Sequence, residues 1–292
     1  MRKALKWTGV VLGSVLVLVV LAGFVVSRIG DSRIRAVHDV PVTALDVSTD
    51  SASVATGAHL AGIYGCFDCH GEDLSGQVMA EEGPFRLVAP NLTPAGVGGA
   101  YDVEAWNRAI RHGVGVDGTA LFVMPSGAYH GMSDTETADL IAYLETLAPV
   151  ENDLPPMEYR FMGKLLSAGP IDHASFVKRD PTPPTSPPPD ATLAYGEYVA
   201  EMMCAYCHGA GLAGGEPEQP GAPPPPDLAP SGQWTPEQFH ETMTTGVTPS
   251  GHQMDPLLMP WTATARMTYD EREGIRMYLA RLAARRTVPT DA

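Results

Sequence analysis

From Trp7 to Ile29 the chain is apolar almost without interruption, with Arg28 the one charge, and Val10 to Val26 is nearly all Val, Leu, Ala and Gly. About 20 such residues cross the hydrocarbon layer as a helix. A cleaved signal peptide would show a shorter run followed by a small-x-small site, and Val25-Val26-Ser27-Arg28 offers none. An uncleaved anchor over residues 1–30 is therefore expected. Residues 36–55 are polar without clear periodicity, so 31–55 reads as a tether.

Further on, the apolar pattern turns helical and occurs twice. Ser133-Asp134-Thr135-Glu136 and Thr268-Tyr269-Asp270-Glu271 each place a hydroxyl at a helix N-cap with an acid three residues on. Apolar residues then recur at helical spacing, Leu140, Ile141, Leu144 and Leu147 in one case and Ile275, Tyr278, Leu279 and Leu282 in the other. These stripes predict core helices. Upstream, GAHLAGIYGCFDCHGEDLSG from Gly57 matches GEYVAEMMCAYCHGAGLAG from Gly196, and Asp102 to Val114 matches Thr235 to Val247. Met124-Pro125 matches Met259-Pro260, each methionine preceding a tyrosine (Tyr143, Tyr278) by 19 residues. One fold used twice is predicted, in the order helix, cysteine motif, loop, short helix, methionine loop, terminal helix. Asp180 to Pro189 holds six prolines in ten residues and reads as a stiff connector. Residues 151–179 show little pattern beyond Phe161 to Leu166 and are expected to pack between the two units. Pro223 to Pro226 reads as a covering loop inside the second.

The four cysteines all fall in two copies of CxxCH, Cys66-Phe67-Asp68-Cys69-His70 and Cys204-Ala205-Tyr206-Cys207-His208. Two residues between the thiols let one turn of chain present both sulfurs to the two vinyl groups of a haem, with the next histidine against the iron. A zinc site would need the motifs to pair, and about 130 residues with a proline-rich stretch separate them. Two covalent haem c groups are expected, with His70 and His208 as proximal ligands. Covalent haem attachment in bacteria takes place outside the cytoplasmic membrane, so the body after residue 30 is expected on the periplasmic side.

Met124 and Met259 are the candidate distal ligands, 54 and 51 residues after their histidines in a Met-Pro turn. Met132 and Met267 repeat at the same offset of eight and suit packing beside a helix start; Met254 has only Leu121 opposite it in the first unit. His112 reads as a capping or surface residue at a helix end. His59 reads as a surface residue of the first helix, with a haem-facing place as the alternative, and His130, His240 and His252 show no partner spacing. Trp106, Trp234 and Trp261 read as pocket or core aromatics.

Residues 36–292 hold 13 basic against 33 acidic side chains, a net charge of −20. Such a body disfavours nucleic acid and anionic membrane surfaces and suits docking to a basic patch on a redox protein.

CFDCHGEDLSG, APNLTPAG, AWNRAIRHGVG and MPSGAYHGMSDTETADLIAYLETLAPV resemble class I cytochrome c domains, in particular those of cytochrome subunits of bacterial periplasmic dehydrogenases. The resemblance implies an all-α chain with an N-terminal transmembrane helix and two tandem class I cytochrome c domains, at 56–150 and 194–286, joined by a connector at 151–193 and followed by a tail at 287–292. It implies thioether bonds from Cys66, Cys69, Cys204 and Cys207, iron ligands His70, Met124, His208 and Met259, and first and last helices crossing at Gly196 with Tyr278 and at the Gly57 or Gly62 region with Tyr143. The implied function is a membrane-tethered electron relay and not an enzyme. Those dehydrogenase subunits usually carry three haem motifs and a C-terminal anchor, against two and an N-terminal one here. A di-haem subunit of a terminal oxidase is the alternative; a di-haem peroxidase or thiosulfate dehydrogenase is a further one, although the latter needs a cysteine ligand and none is left over.

Overall fold

The computed structural model describes residues 2–81, 83–180, 185–216 and 222–287. Pro181 to Pro184 of the proline connector and residues 288–292 of the tail lie outside them. The apolar run forms one long helix, α1 (Arg2–Ile34). Its stretch Lys6–Ile34 is, among the described residues, the one helix long and apolar enough to cross a membrane, and none of its most apolar window is buried.

Each repeat is built on a crossed pair of helices. In unit one α2 (Ser51–Ile63) packs on the terminal helix, here labelled α6 (Asp134–Glu145). Unit two crosses α8 (Leu193–Val199) with α12 (Tyr269–Thr287). The crossings are tight because a glycine sits in each: a Cβ on Gly57 would lie 1.9 Å from the Asp139 carbonyl oxygen, and one on Gly196 would lie 1.8 Å from that of Gly274. Tyr143 packs beside Gly57, whereas Gly62 faces Arg266 of the other unit. Between the crossed helices come the short attachment helices α3 (Cys66–His70) and α9 (Ala205–His208), then α4 (Val103–His112) and α10 (Pro236–Thr245), then the post-methionine turns α5 (Ser126–Tyr129) and α11 (Trp261–Ala265).

Local chemistry sets these boundaries. Asp102 and Thr235 cap the starts of α4 and α10, and glycines with positive φ, Gly113 at +68° and Gly246 at +73°, end them. Ser133 with Glu136, and Thr268 with Glu271, make reciprocal capping boxes at α6 and α12. Leu140, Ile141, Ile275 and Leu279 are buried in one core that runs through both units.

The chain is mostly helical, not wholly so. After the first attachment helix it forms β1 (Gln77–Ala80) and β2 (Phe85–Ala89), and β3 (Glu158–Tyr159) adds to the antiparallel sheet in the order β1-β2-β3. Residues 151–179 therefore wrap unit one and do not fill the space between units. They continue into α7 (Phe161–Ala168), which packs along the last third of α1. The expected tether is also tied down. His38 donates its backbone N–H to Gly118, Asn107 donates its side-chain amide to the Thr43 carbonyl, and Val40 is buried. Val40 and Val42 pack in a small cluster and Leu45 and Val47 against the main core, but their spacing is too irregular for a helix or a regular strand and hides this in the sequence.

Candidate haem-binding sites

Both attachment segments end in a glycine of positive φ, Gly71 at +83° and Gly209 at +73°. Three residues later a leucine, Leu74 or Leu212, takes the left-handed conformation at φ +58° and is fully buried. Leucine rarely adopts this backbone, so the surroundings must hold it there. A backbone ladder does so: Leu92 donates to the Leu74 carbonyl at 2.8 Å, and Leu228 to that of Leu212 at 3.0 Å. The ladder brings the preceding proline carbonyl over the histidine. His70 Nδ1 lies 2.8 Å from the Pro90 carbonyl oxygen and His208 Nδ1 lies 2.7 Å from that of Pro226. Each Nδ1–H donates to that oxygen, which fixes the tautomer and leaves Nε2 with its lone pair for iron. Burial holds both imidazoles below the usual histidine range, against the opposing pull of the carbonyls, so both are neutral in neutral solution.

Unit one surrounds a cavity of about 670 Å³. Cys66, Cys69 and His70 line it on one side, and Met124 lines it too. Tyr64, Trp106 and Tyr129 supply aromatic wall. The lining is mainly apolar, as a porphyrin face requires. Met132 is not among the lining residues and is completely buried in the core, as Met267 nearly is. In unit two His208 is buried, Cys204 and Cys207 are half-buried, and Met259 is half-buried just before α11. The backbone around both methionines is alike: Ser126 donates to the Met124 carbonyl at 2.8 Å and Trp261 to that of Met259 at 2.7 Å. Trp261 itself packs on Gly246 and donates Nε1–H to the Met254 carbonyl. These residues fit two haem c groups: in each unit paired sulfurs one turn apart and a neutral imidazole with one nitrogen already occupied, and in unit one an apolar chamber.

The histidines outside the motifs fall differently from the sequence expectation. His112 is not a surface cap; it is buried, donates Nδ1–H to the Lys178 carbonyl at 2.8 Å, and packs edge-on to His130. His59 is not a haem-facing residue and not a free surface one: its ring is about a third exposed, but its Nε2 meets Glu271 of unit two at 2.8 Å. Two residues after the crossing glycine of unit two stands Tyr198, the counterpart of His59, and it donates to Glu136 of unit one. Each capping-box glutamate thus takes one donor from the opposite unit and one phenol from its own, Tyr64 for Glu136 and Tyr195 for Glu271. Arg266 adds a third link, reaching Asp68 at 3.0 Å and Glu72 at 2.8 Å over the Phe67 ring. On the other flank Tyr206 and Met202 abut Gly127 and Gly131. Both attachment segments therefore border the interface between units. None of these partners was apparent in the sequence, although the equivalence of His59 and Tyr198 follows once the two glycines are aligned.

Comparison with known proteins agrees with this geometry. Residues 54–148 match the cytochrome c family model, and residues 191–279 match the model of cytochrome c oxidase, cbb3-type, subunit III. The chain carries two cytochrome c domains. With them come two covalent haem c groups. The cytochrome is similar to the fructose dehydrogenase cytochrome subunit of Gluconobacter japonicus, at 31% identity over 44% of this chain and 28% of that protein. It is similar to the gluconate 2-dehydrogenase cytochrome c subunit of Pantoea cypripedii, at 28% identity over 56% of this chain and 39% of that one. It is also similar to a diheme cytochrome c-type protein of Cereibacter sphaeroides, at 28% identity over 75% of this chain and 82% of that protein. The two dehydrogenase matches thus span less than half of their relatives' length.

Proposed function

We propose that this cytochrome is a membrane-tethered periplasmic relay that passes single electrons from a dehydrogenase or quinol-oxidising complex to a downstream acceptor. The observation that carries the reading is that Met124 lines the same cavity as His70, whose other nitrogen is already committed. Haem c supplies reversible one-electron exchange at its iron. His70 and His208 would hold that iron through Nε2, and the thioethers of Met124 and Met259 would serve as its further ligands. Thioether ligation favours the reduced state and leaves no place for a substrate. Tyr64, Trp106 and Tyr129 keep water from one site.

The anchor reading is supported by the way α1 is bonded into the body. Gly30 is so close to α7 that a Cβ would lie 1.8 Å from the Lys164 carbonyl oxygen, Lys164 pairs with Asp31 at 3.0 Å, and Arg33 donates to the Ala168 carbonyl at 2.8 Å. A leader destined for removal has no need of such contacts. The net charge of −20 in the body suits a basic docking patch on the electron partner and no nucleic acid. Membership of a terminal oxidase is the second reading, favoured by the cbb3-type match over residues 191–279.

The test is carbon monoxide addition to the reduced, detergent-extracted holoprotein, followed by identification of the chains that co-purify. The relay predicts no carbon monoxide spectrum at either haem and a dehydrogenase or quinol-oxidising partner. Rapid binding at one haem would instead mark an open iron and a catalyst, and co-purified oxidase subunits would establish the second reading.

A further inference from the structure

α7 has eight residues, and its first two, Phe161 and Met162, are exposed by 58% and 55%. Large apolar side chains exposed side by side at a helix start stabilise nothing in water. Their position against α1 is specific. A Cβ on Gly23 would touch the Phe161 ring tip at 3.4 Å, while one on Gly30 would meet Lys164. Gly23 lies inside the apolar run that ends at Val26, and at a rise of about 1.5 Å per residue it sits roughly 4–5 Å inward of that end. Phe161 is therefore level with the outer edge of the hydrocarbon layer. The next residues of α1, Phe24, Val25 and Val26, are exposed as well, so the Phe161 ring at Gly23 stands beside the exposed apolar surface of α1.

The charged residues are ordered in the same sense. Lys164 and Asp31 pair about one turn farther out, and Arg33 lies beyond them at Ala168. Glu81 at the end of β1 and Glu158 in β3, both beside Arg160, are paired with Arg86 at 2.9 Å and 3.4 Å. Apolar tip inward and paired or cationic residues outward is the profile of an interfacial element.

We propose that the Phe161–Met162 turn of α7 is a second membrane contact, inserted among lipid acyl chains beside α1, which fixes the orientation of unit one on the bilayer surface. This rests on the reading of α1 as an uncleaved anchor. The occupant is lipid, because the patch continues the lipid-facing surface of α1 and is set at acyl-chain depth.

The experiment uses the full-length holoprotein in phosphatidylcholine and phosphatidylglycerol vesicles that contain a phospholipid with a photoactivatable diazirine in its acyl chain. Cleavage at arginine releases Phe161–Arg179, and fragment masses locate any lipid adduct. The expected result is an adduct at Phe161 or Met162 and on α1, and none on Thr235 to Thr245 of unit two. In the double variant Phe161→Ser, Met162→Ser the adduct on α7 is lost while that on α1 and both haem spectra are retained. Labelling of α1 with none at 161–162 in the wild type overturns the proposal and leaves the anchor intact. An unlabelled or missing N-terminal segment overturns the anchor reading, and the proposal with it.

Discussion

A histidine serves as a fixed iron ligand when its second nitrogen has a partner, and at the proposed ligands His70 and His208 a proline carbonyl takes that role. Methionine ligation can be tested residue by residue in the same way. Met124→Leu and Met259→Leu should each remove about half of the weak red absorption of thioether-bound ferric haem and lower the potential of one haem, as redox titration of each variant would read. The pair His59 and Glu271 makes a pH prediction. The Glu271 hydrogen bond raises His59 above its ordinary 6.5 in spite of burial. Burial pushes Glu271 up, yet the His59 bond and the Thr268 amide outweigh it and hold the carboxyl below 4.5. A raised histidine contributes stability that is complete below 6.5 and lost as pH rises through its folded value. A depressed carboxyl contributes stability present above 4.5 and lost as pH falls through its own folded value. The clasp is thus strongest between 4.5 and 6.5. His59→Gln should cost about 1 kcal/mol in that window, allowing for the exposed edge of the ring. Thermal unfolding of the wild type should weaken relative to the variant as pH rises through neutrality.

Among the helices and strands, the helix crossings are the least forgiving places. Gly57→Ala would drive a methyl group into the Asp139 carbonyl, a backbone atom that cannot swing aside. A loss of about 1–3 kcal/mol is expected from overpacking, measured as a lower unfolding midpoint and reduced haem incorporation in unit one. Gly62→Ala meets the flexible Arg266 side chain at 3.1 Å and the Phe67 ring at an ordinary 3.5 Å, and should be mild. The sequence resemblance left Gly57 and Gly62 open, because both lie in the helix just before the cysteines; the difference is which face of α2 meets α6. Ser133→Ala should cost about 1 kcal/mol by removing the cap of α6. The caps and terminal helices were legible beforehand because hydroxyl, acid and apolar stripe lie within one short window. The sheet was not, since β3 joins β2 across more than 70 residues and has only two residues of its own.

For the molecule in its entirety, the interface between units is the feature on which a relay depends. Arg266→Ala removes the tie to Asp68 Oδ1, on a carboxylate whose Oδ2 is buried without a partner, and the exposed tie to Glu72. About 1 kcal/mol is the expected loss, mostly from Asp68. Hydrogen exchange should quicken at the facing ends of α2 and α11 and stay unchanged in α4. The reach of α1 into α7, and the strap of residues 37–47 over unit one, make α1 and the first haem domain a single body in place of the expected tether.

The order of residues alone was enough for the cofactor, the duplication and the helix starts, and it nominated the cysteines and histidines proposed to hold the haems, because each is written in residues a few positions apart and obeys bonding geometry or helical period. Packing in three dimensions settled that His59 pairs with Glu271, that Pro90 and Pro226 orient the histidines, and that the tether and connector wrap unit one. Those outcomes join residues up to about 210 positions apart. No local pattern encodes such a pairing; it follows only when two glycine-pinned helix pairs pack together and bring distant polar groups within hydrogen-bond reach.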